Sequence, residues 1–255
     1  MINRLSAIAA LVAITSGAQA STLLISLDTS NPIREYTTAG AFIQTWGTVN
    51  NNTTGPASDE FGNVYGTNPN FGANVIEKSN PSNVSLGTFT TSVNGNFIED
   101  ATYIGGGILV VSSFEGNVFK VDQLGNDTLL FGTGDSYVGV TYDGSNLWTT
   151  SGLSGSNTVY RRDFAGTILS SFVVSFNPGG VGYDATDGTL YIGTLGGSVY
   201  HYATDGTQLG VFQTEFGNYI DGLEVKGAVP EPETAALMLA GLAGVGALAR
   251  RRGRG

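Results

Sequence analysis

From Ala101 to Phe212 the chain alternates short apolar runs with clusters of Gly, Asp, Asn and Ser, and no helical periodicity lasts longer than a turn or two. Runs of this length, bounded by Gly and Asp turns, predict many antiparallel strands. They also come in sets. Gly139–Tyr142, Leu147–Thr150, Thr158–Arg162 and Thr167–Phe172 lie against Gly180–Tyr183, Leu190–Gly193, Ser198–Tyr202 and Thr207–Phe212, with offsets of 41 residues between Tyr142 and Tyr183 and 40 between Phe172 and Phe212. An earlier copy runs through Ala101–Tyr103, Ile108–Val111, Asn117–Val121 and Thr128–Phe131. A fainter one runs from Ala57 through Asn63–Tyr65 and Asn74–Glu77 to Phe89.

Four-stranded units of about 40 residues predict the blades of an all-β propeller. The ends of the repeat region supply the closure. Leu23–Ser26, Ile33–Tyr36 and Ala41–Trp46 read as strands two, three and four of a blade without its first, and Tyr219–Val225 reads as a first strand without the rest. Pairing the two fragments gives one composite blade beside four complete ones, five in all, and closes the ring without disulfides. The repeats resemble NHL-like and quinoprotein-like propeller units, through a Tyr/Arg or Tyr/His strand followed by Asp-x-x-Gly or Thr-Asp-Gly (Tyr160-Arg161, Asp163–Gly166; Tyr200-His201, Thr204–Gly206). The resemblance speaks for fold and says almost nothing about function.

Both ends of the chain lie outside this pattern. Residues 1–20 begin with a basic region ending at Arg4, continue as an apolar core from Leu5 to Ile14 and finish in Ala18-Gln19-Ala20, a small-x-small site for signal peptidase. At the other end Pro230-Glu231-Pro232 precedes an uncharged apolar run from Ala235 to Ala249 and a cluster of Arg250, Arg251, Arg252 and Arg254. A helix over that run reaches only about 22 Å at 1.5 Å per residue, against a bilayer core of about 30 Å. It spans if the lipid thins locally and the arginines snorkel from the cytoplasmic side. The two prolines leave Glu231 in an extended, accessible peptide.

This tail resembles the PEP-CTERM sorting signal of Gram-negative exported proteins. The resemblance implies recognition and processing by an exosortase, a transient stay in the inner membrane, delivery to the cell surface or extracellular matrix, and an association with exopolysaccharide and biofilm. The expected layout is a signal peptide at 1–20, a propeller at 21–228 and a sorting signal with a short transmembrane helix at 229–255.

Charge narrows the partners. Of 11 basic and 21 acidic residues, Arg4, the four terminal arginines, Glu231 and Glu233 belong to the ends, which leaves 6 basic and 19 acidic residues on residues 21–228, a net charge of about −13. Such a body repels nucleic acid and anionic lipid and tolerates cations or neutral sugars, while the resemblance of the tail implies a polysaccharide or another surface protein as partner. With no cysteine, neither disulfides nor thiolate metal sites are available, so stability rests on the core.

Candidate chemistry is sparse, and no cofactor is implied. Enzymatic propellers of the gluconolactonase or streptogramin-lyase type, which this architecture resembles, need several acids and histidines converging on one metal or one proton transfer. The single histidine, His201, reads as a blade-surface residue in preference to a catalytic one. Asp184 and Asp187, with Gly188, are spaced to offer oxygen ligands to Ca²⁺, and Asp143 holds the matching turn one blade earlier, but tight hairpins also demand Asp and Gly, and a full calcium loop is absent. Tyr65, Trp148 and Tyr191 on second strands, and Tyr103, Tyr142 and Tyr183 on first strands, are either wedges between blades or sugar-stacking platforms, the wedge reading being favoured by their recurrence at one blade position. The expectation is a non-enzymatic exported binding or structural propeller. The alternative is a periplasmic or surface hydrolase or lyase with its site on one propeller face.

Overall fold

A computed structural model describes residues 20–227 apart from 28–31, 48–52, 69–73, 94–96, 137–138, 153–154, 216 and 218. The signal-peptide residue Ala18, the sorting motif Pro230-Glu231-Pro232, the apolar run expected to span the membrane and Arg250–Arg254 lie outside the described residues.

Among the described residues, twenty strands form five four-stranded antiparallel sheets. Blade 1 is composite: β20 (Ile220–Lys226) is its inner strand, followed outward by β1 (Thr22–Leu27), β2 (Arg34–Thr37) and β3 (Phe42–Thr45). Blade 2 holds β4 (Pro56–Ser58), β5 (Val64–Asn68), β6 (Asn74–Ser79) and β7 (Ser85–Thr91); blade 3 holds β8 (Ile98–Tyr103), β9 (Ile108–Ser113), β10 (Asn117–Asp122) and β11 (Asp127–Gly132). Blade 4 runs through β12 (Val140–Tyr142), β13 (Leu147–Thr150), β14 (Thr158–Arg162) and β15 (Ile168–Val173), and blade 5 through β16 (Pro178–Asp184), β17 (Thr189–Thr194), β18 (Ser198–Ala203) and β19 (Gln208–Gln213). The expected five-bladed propeller is the fold, and the expected closure is made by β1 on β20, with Leu23 opposite Val225 and Ile25 opposite Leu223.

Burial explains the sequence pattern strand by strand. Second strands are covered on both faces by neighbouring blades, so β13 and β17 are buried at every position, their threonines included, instead of at every second one. Fourth strands form the outer edge, and β15 is exposed at all positions but Phe172. The apolar core is divided among the joints. Separate clusters join blades 1 and 2 (Leu24, Ile33, Trp46, Val64), 2 and 3 (Tyr65, Ile76, Ala101, Leu109), 3 and 4 (Val110, Phe131, Val140, Leu147), 4 and 5 (Trp148, Val181, Leu190, Ile192), and 5 and 1 (Tyr191, Val199, Leu23, Leu223).

One lock recurs at each joint. The turn between third and fourth strands carries a left-handed residue, Gly40, Asn83, Gly125, Gly166 or Gly206, with φ of 89°, 59°, 85°, 84° and 90°. It abuts the outer strand of the preceding blade. A Cβ on Gly166, Gly206 or Gly40 would lie 2.6–2.8 Å from Phe131, Phe172 or Phe212, and one on Gly125 would strike the Thr90 carbonyl beside Phe89. Only glycine tolerates both the φ and the approach. At the remaining joint Asn83 takes the place of glycine and uses its side chain, accepting from Gly47 N (3.0 Å) and donating to Thr45 O (3.2 Å) on either side of Trp46. This packing is the physical content of the Asp-x-x-Gly repeat.

Candidate functional site

A propeller leaves the inner edge of every first strand facing the ring axis, with backbone donors that need partners. Five inner strands converge so tightly that Gly55, Gly139, Gly180 and Gly222 leave no room for a side chain. A Cβ on Gly180 would lie 2.4 Å from Leu223 N, and one on Gly139 would lie 2.4 Å from Gly179 O. At the corresponding step of β8 the residue is Asp100. Its carboxyl accepts Ala101 N (2.9 Å) with Oδ1, and Val140 N (3.1 Å) and Val181 N (3.3 Å) with Oδ2, so it ties blades 3, 4 and 5 together. Glu224 in blade 1 does the same for the other side, taking Thr102 Oγ1 from blade 3 (3.3 and 3.4 Å) and a backbone hydrogen bond from Ser58 in blade 2. Burial holds both carboxyls well above the usual range, and the hydrogen bonds each receives only partly offset it.

Just above this plug, at or one residue before the ends of the first strands, Ser58, Tyr103, Tyr142, Tyr183 and Val225 open into a cleft of about 440 Å³. Tyrosines from blades 3, 4 and 5 form one side, and Asp59, Glu60 and Ser58 of blade 2 face them. Each ring spans outward over its own hairpin, and Tyr103 accepts Gly107 N (2.9 Å) while Tyr142 donates to Gly144 O (2.7 Å). All three are half-buried, with Tyr103 stacked at 6.0 Å on Tyr65 of the next blade. The second-strand aromatics Tyr65, Trp148 and Tyr191 are buried, at 0%, 2% and 3% exposure, so they pack as wedges. The first-strand set has one foot in the joint and one in the cleft.

Around the rim the next position is charged in four blades, as Asp59, Asp143, Asp184 and Lys226, and is Ile104 in blade 3. Asp59 meets Lys78 at 3.1 Å over Tyr65, and Asp143 meets Arg161 at 2.7 Å beside Trp148. Blade 1 reverses the charges, with Lys226 on Glu35 at 3.0 Å over Trp46. Burial opposes ionisation of Asp59, Asp143 and Glu35, yet the donors around each outweigh it and hold all three below the usual carboxylate range: Asn63 and Lys78; Arg161, Asn146 and Ser145; Thr22, Gln44 and Lys226. Sequence reading missed Asp100, Glu224 and these pairs. The aligned repeats carried a trace of the first, because Asp100 is the odd residue in a column otherwise made of glycine.

The residues singled out from the sequence do not meet. Of His201, Asp143, Asp184 and Asp187, only Asp184 lines the cleft. Asp143 lines a separate cavity of about 300 Å³ between blades 4 and 5. His201 stacks on Tyr191 and touches Thr189 Oγ1 through Nε2 at 2.8 Å. Asp184 Oδ1 takes Ser21 Oγ (3.0 Å) and Thr186 N (2.8 Å), while Asp187 Oδ1 takes the amide and hydroxyl of Thr189 (3.1 and 2.6 Å). Among the described residues no group of three or more His, Asp or Glu side chains is placed to hold a metal ion.

Comparison with known proteins adds an address and a fold. Residues 228–252 match the PEP-CTERM protein-sorting motif. The chain is thus an exported, propeller-bodied protein that ends in an exosortase sorting signal, one that implies anchoring in a membrane during sorting. None of the curated proteins matches it. Among solved structures it is similar to a chain of the nidogen/laminin complex, with 14% identity, a TM-score of 0.55 and coverage of 82% of this chain and 99% of that one. A Bacteroides caccae protein of unknown function is similar at 12% identity and a TM-score of 0.50, over 76% of this chain and 73% of that one. A virginiamycin B lyase from Staphylococcus aureus reaches 14% identity and a TM-score of 0.49, over 83% and 75%. At these identities the likeness describes the fold alone.

Proposed function

We propose that this protein is a non-enzymatic propeller of the cell surface or extracellular matrix, and that its cleft holds exopolysaccharide. The observation that carries the reading is the cleft itself: three half-buried tyrosines face Asp59 and Glu60 at the mouth of an acidic body that carries an export-and-sorting signal. Aromatic faces edged by hydrogen-bonding groups suit neutral or cationic sugars and disfavour anionic ones. The rim carboxylates Asp59, Asp143 and Asp184 already serve hairpin amides and neighbouring donors, which supports a binding role over a proton-transfer role. Signal peptidase at Ala20 and an exosortase at Pro230-Glu231-Pro232 are the processing partners, with Arg250, Arg251, Arg252 and Arg254 holding the tail at the cytoplasmic side.

The test is co-sedimentation of the exported protein with the producing strain's own exopolysaccharide. Tyr103→Ala and Tyr183→Ala are each expected to weaken retention about tenfold, since a stacked ring is worth about 1–2 kcal/mol. Unchanged retention in both variants would remove the cleft from the proposal. Deleting residues 230–255 should leave a protein that is exported but no longer held at the membrane for processing; unchanged fractionation and mass would defeat the sorting reading.

A hydrolase or lyase remains the second reading, favoured by one observation: Glu224 lines the cleft with its carboxyl raised by burial, as a general acid requires. Release of soluble fragments from that polysaccharide, abolished by Glu224→Gln, would select it.

A further inference from the structure

Three blades build the same rim device, an acid and a cation bridging the end of the first strand and the middle of the third: Asp59 with Lys78, Asp143 with Arg161, and, in reverse, Lys226 with Glu35. Blade 5 keeps the acid, Asp184, and the aromatic, Tyr191. At its cation position stands His201, which lies flat on Tyr191 with centroids 4.3 Å and planes 3° apart and is turned to Thr189. What reaches Asp184 instead comes from the start of the chain. Ser21 Oγ donates to Asp184 Oδ1 at 3.0 Å and lies 3.0 Å from Thr186 Oγ1. Ser21 and Asp184 are 6% and 4% exposed, whereas Ala20, the residue before, is exposed.

We propose that Asp184 and Thr186 form a receptor for a primary ammonium, and that its occupant is the α-ammonium of Ser21, made when the signal peptide is removed. The inference rests on the export reading. Hydrolysis of the Ala20–Ser21 bond consumes one water, leaves a carboxylate on Ala20 and frees an amine on Ser21 that takes up a proton. That nitrogen is separated from Oγ only by Cα and Cβ, so a small rotation brings it to the carboxylate that Oγ already touches. The charged groups around it are Asp184 and Asp187 on blade 5, beside Tyr191 and His201. On its own blade Glu35 accepts from Thr22 Oγ1 (2.6 Å) and is paired with Lys226. Glu224 shares the cleft with Asp184 but is held toward its neutral form by burial. The local field therefore favours a cation. Because β1 belongs to blade 1, the pair fastens the first residue of the mature chain to blade 5 across the joint where the ring closes, and a precursor with an amide nitrogen there lacks it.

The exported protein is first characterised by intact mass and N-terminal sequencing. Its amines are then reductively ¹³C-methylated and titrated by NMR; Lys78, Lys120 and Lys226 are the only lysines, so the α-amine signal is readily separated. The expected result is a chain beginning at Ser21 whose α-amine titrates about one unit above the roughly 7.7–8.0 of a free terminus. The shift should vanish in urea and in Asp184→Asn. A chain that begins at Ser21 but titrates alike folded and unfolded overturns the ion pair and leaves export standing. An uncleaved precursor in the cytosol overturns the export reading and this one with it, and a cut at any other bond overturns the receptor. If Asp184→Asn does not fold, the folded and unfolded wild type decide between them.

Discussion

The axis and the rim of this propeller use the same side chain in opposite states. Asp100 and Glu224 sit on the axis without a cation and are driven by burial toward the protonated form; Asp59, Asp143 and Glu35 sit on the rim beside Lys78, Arg161 and Lys226 and are held ionised. The axis pair answers backbone and hydroxyl donors from the inner strands of blades 2 to 5, a task that needs acceptors and not charge. The rim pairs staple first strand to third within a sheet. A chain without cysteine closes its ring with these two sets and with the apolar joints between blades.

The largest expected effect tests the axis directly. Asp100→Ala leaves the amides of Ala101, Val140 and Val181 buried with no acceptor, and at about 1–3 kcal/mol for each orphaned group the cost should be about 4 kcal/mol. Urea unfolding of the exported protein measures it. A loss below about 1 kcal/mol would mean that Asp100 does not tie the inner strands.

Glycines sharpen the same contrast. Gly180→Ala drives a Cβ to 2.4 Å from Leu223 N and 2.5 Å from Gly222 C, backbone atoms of a strand that cannot retreat, and should cost about 3 kcal/mol. Gly210→Ala on outer strand β19 meets only His201 Cβ at 3.9 Å, and should be neutral or stabilising by about 0.5 kcal/mol through the unfolded chain. Equal melting temperatures for the two variants would remove the tight axis from the account.

How much of this was legible beforehand follows from what each feature asks of sequence. Blade joints demand a turn glycine and an outer-strand aromatic at fixed spacing, so Gly166 with Phe131 and Gly206 with Phe172 wrote themselves into the repeat, and with them the five blades and the shared closing sheet. The axis asks something of one residue only. Asp100 stands where the other blades have glycine, and nothing local marks a residue whose partners, Val140 and Val181, lie in two other blades. The rim pairs were hidden for another reason: Lys226–Glu35 reverses the polarity of Asp59–Lys78, so no column of the repeat carries a constant charge. The tyrosines were visible as a recurring set, but recurrence could not separate Tyr65, buried in a joint, from Tyr103, which also edges the cleft.

On the rim, Lys226→Met is expected to cost about 2 kcal/mol, less than full loss of a buried pair, because Thr22, Gln44 and Trp46 still donate to Glu35. Asp143 with Arg161, more open to solvent, should matter less: Arg161→Met is expected to cost about 0.5–1 kcal/mol. Reversal of that order in thermal melts would show that the composite blade is not the more strongly stapled one.

A pH series separates axis from rim by sign. A rim carboxyl with a lowered folded pKa contributes fully above its unfolded value and loses that contribution as pH falls through the folded one. An axis carboxyl with a raised folded pKa acts the other way: between its unfolded and folded values the native state holds a proton that the unfolded chain releases, so stability falls as pH rises through that window. Melting temperature should therefore peak on the acidic side of neutrality. Asp59→Asn should flatten the acid limb, and Glu224→Gln, which keeps an acceptor for Thr102 and Ser58, should flatten the upper limb and raise the melting temperature at pH 8 by about 3 °C, the equivalent of about 1 kcal/mol in a domain of this size. A Glu224→Gln curve that runs parallel to wild type from pH 4 to 9 would mean that the axis is ionised like the rim, and that cations or water outside the protein neutralise what its own backbone was thought to satisfy.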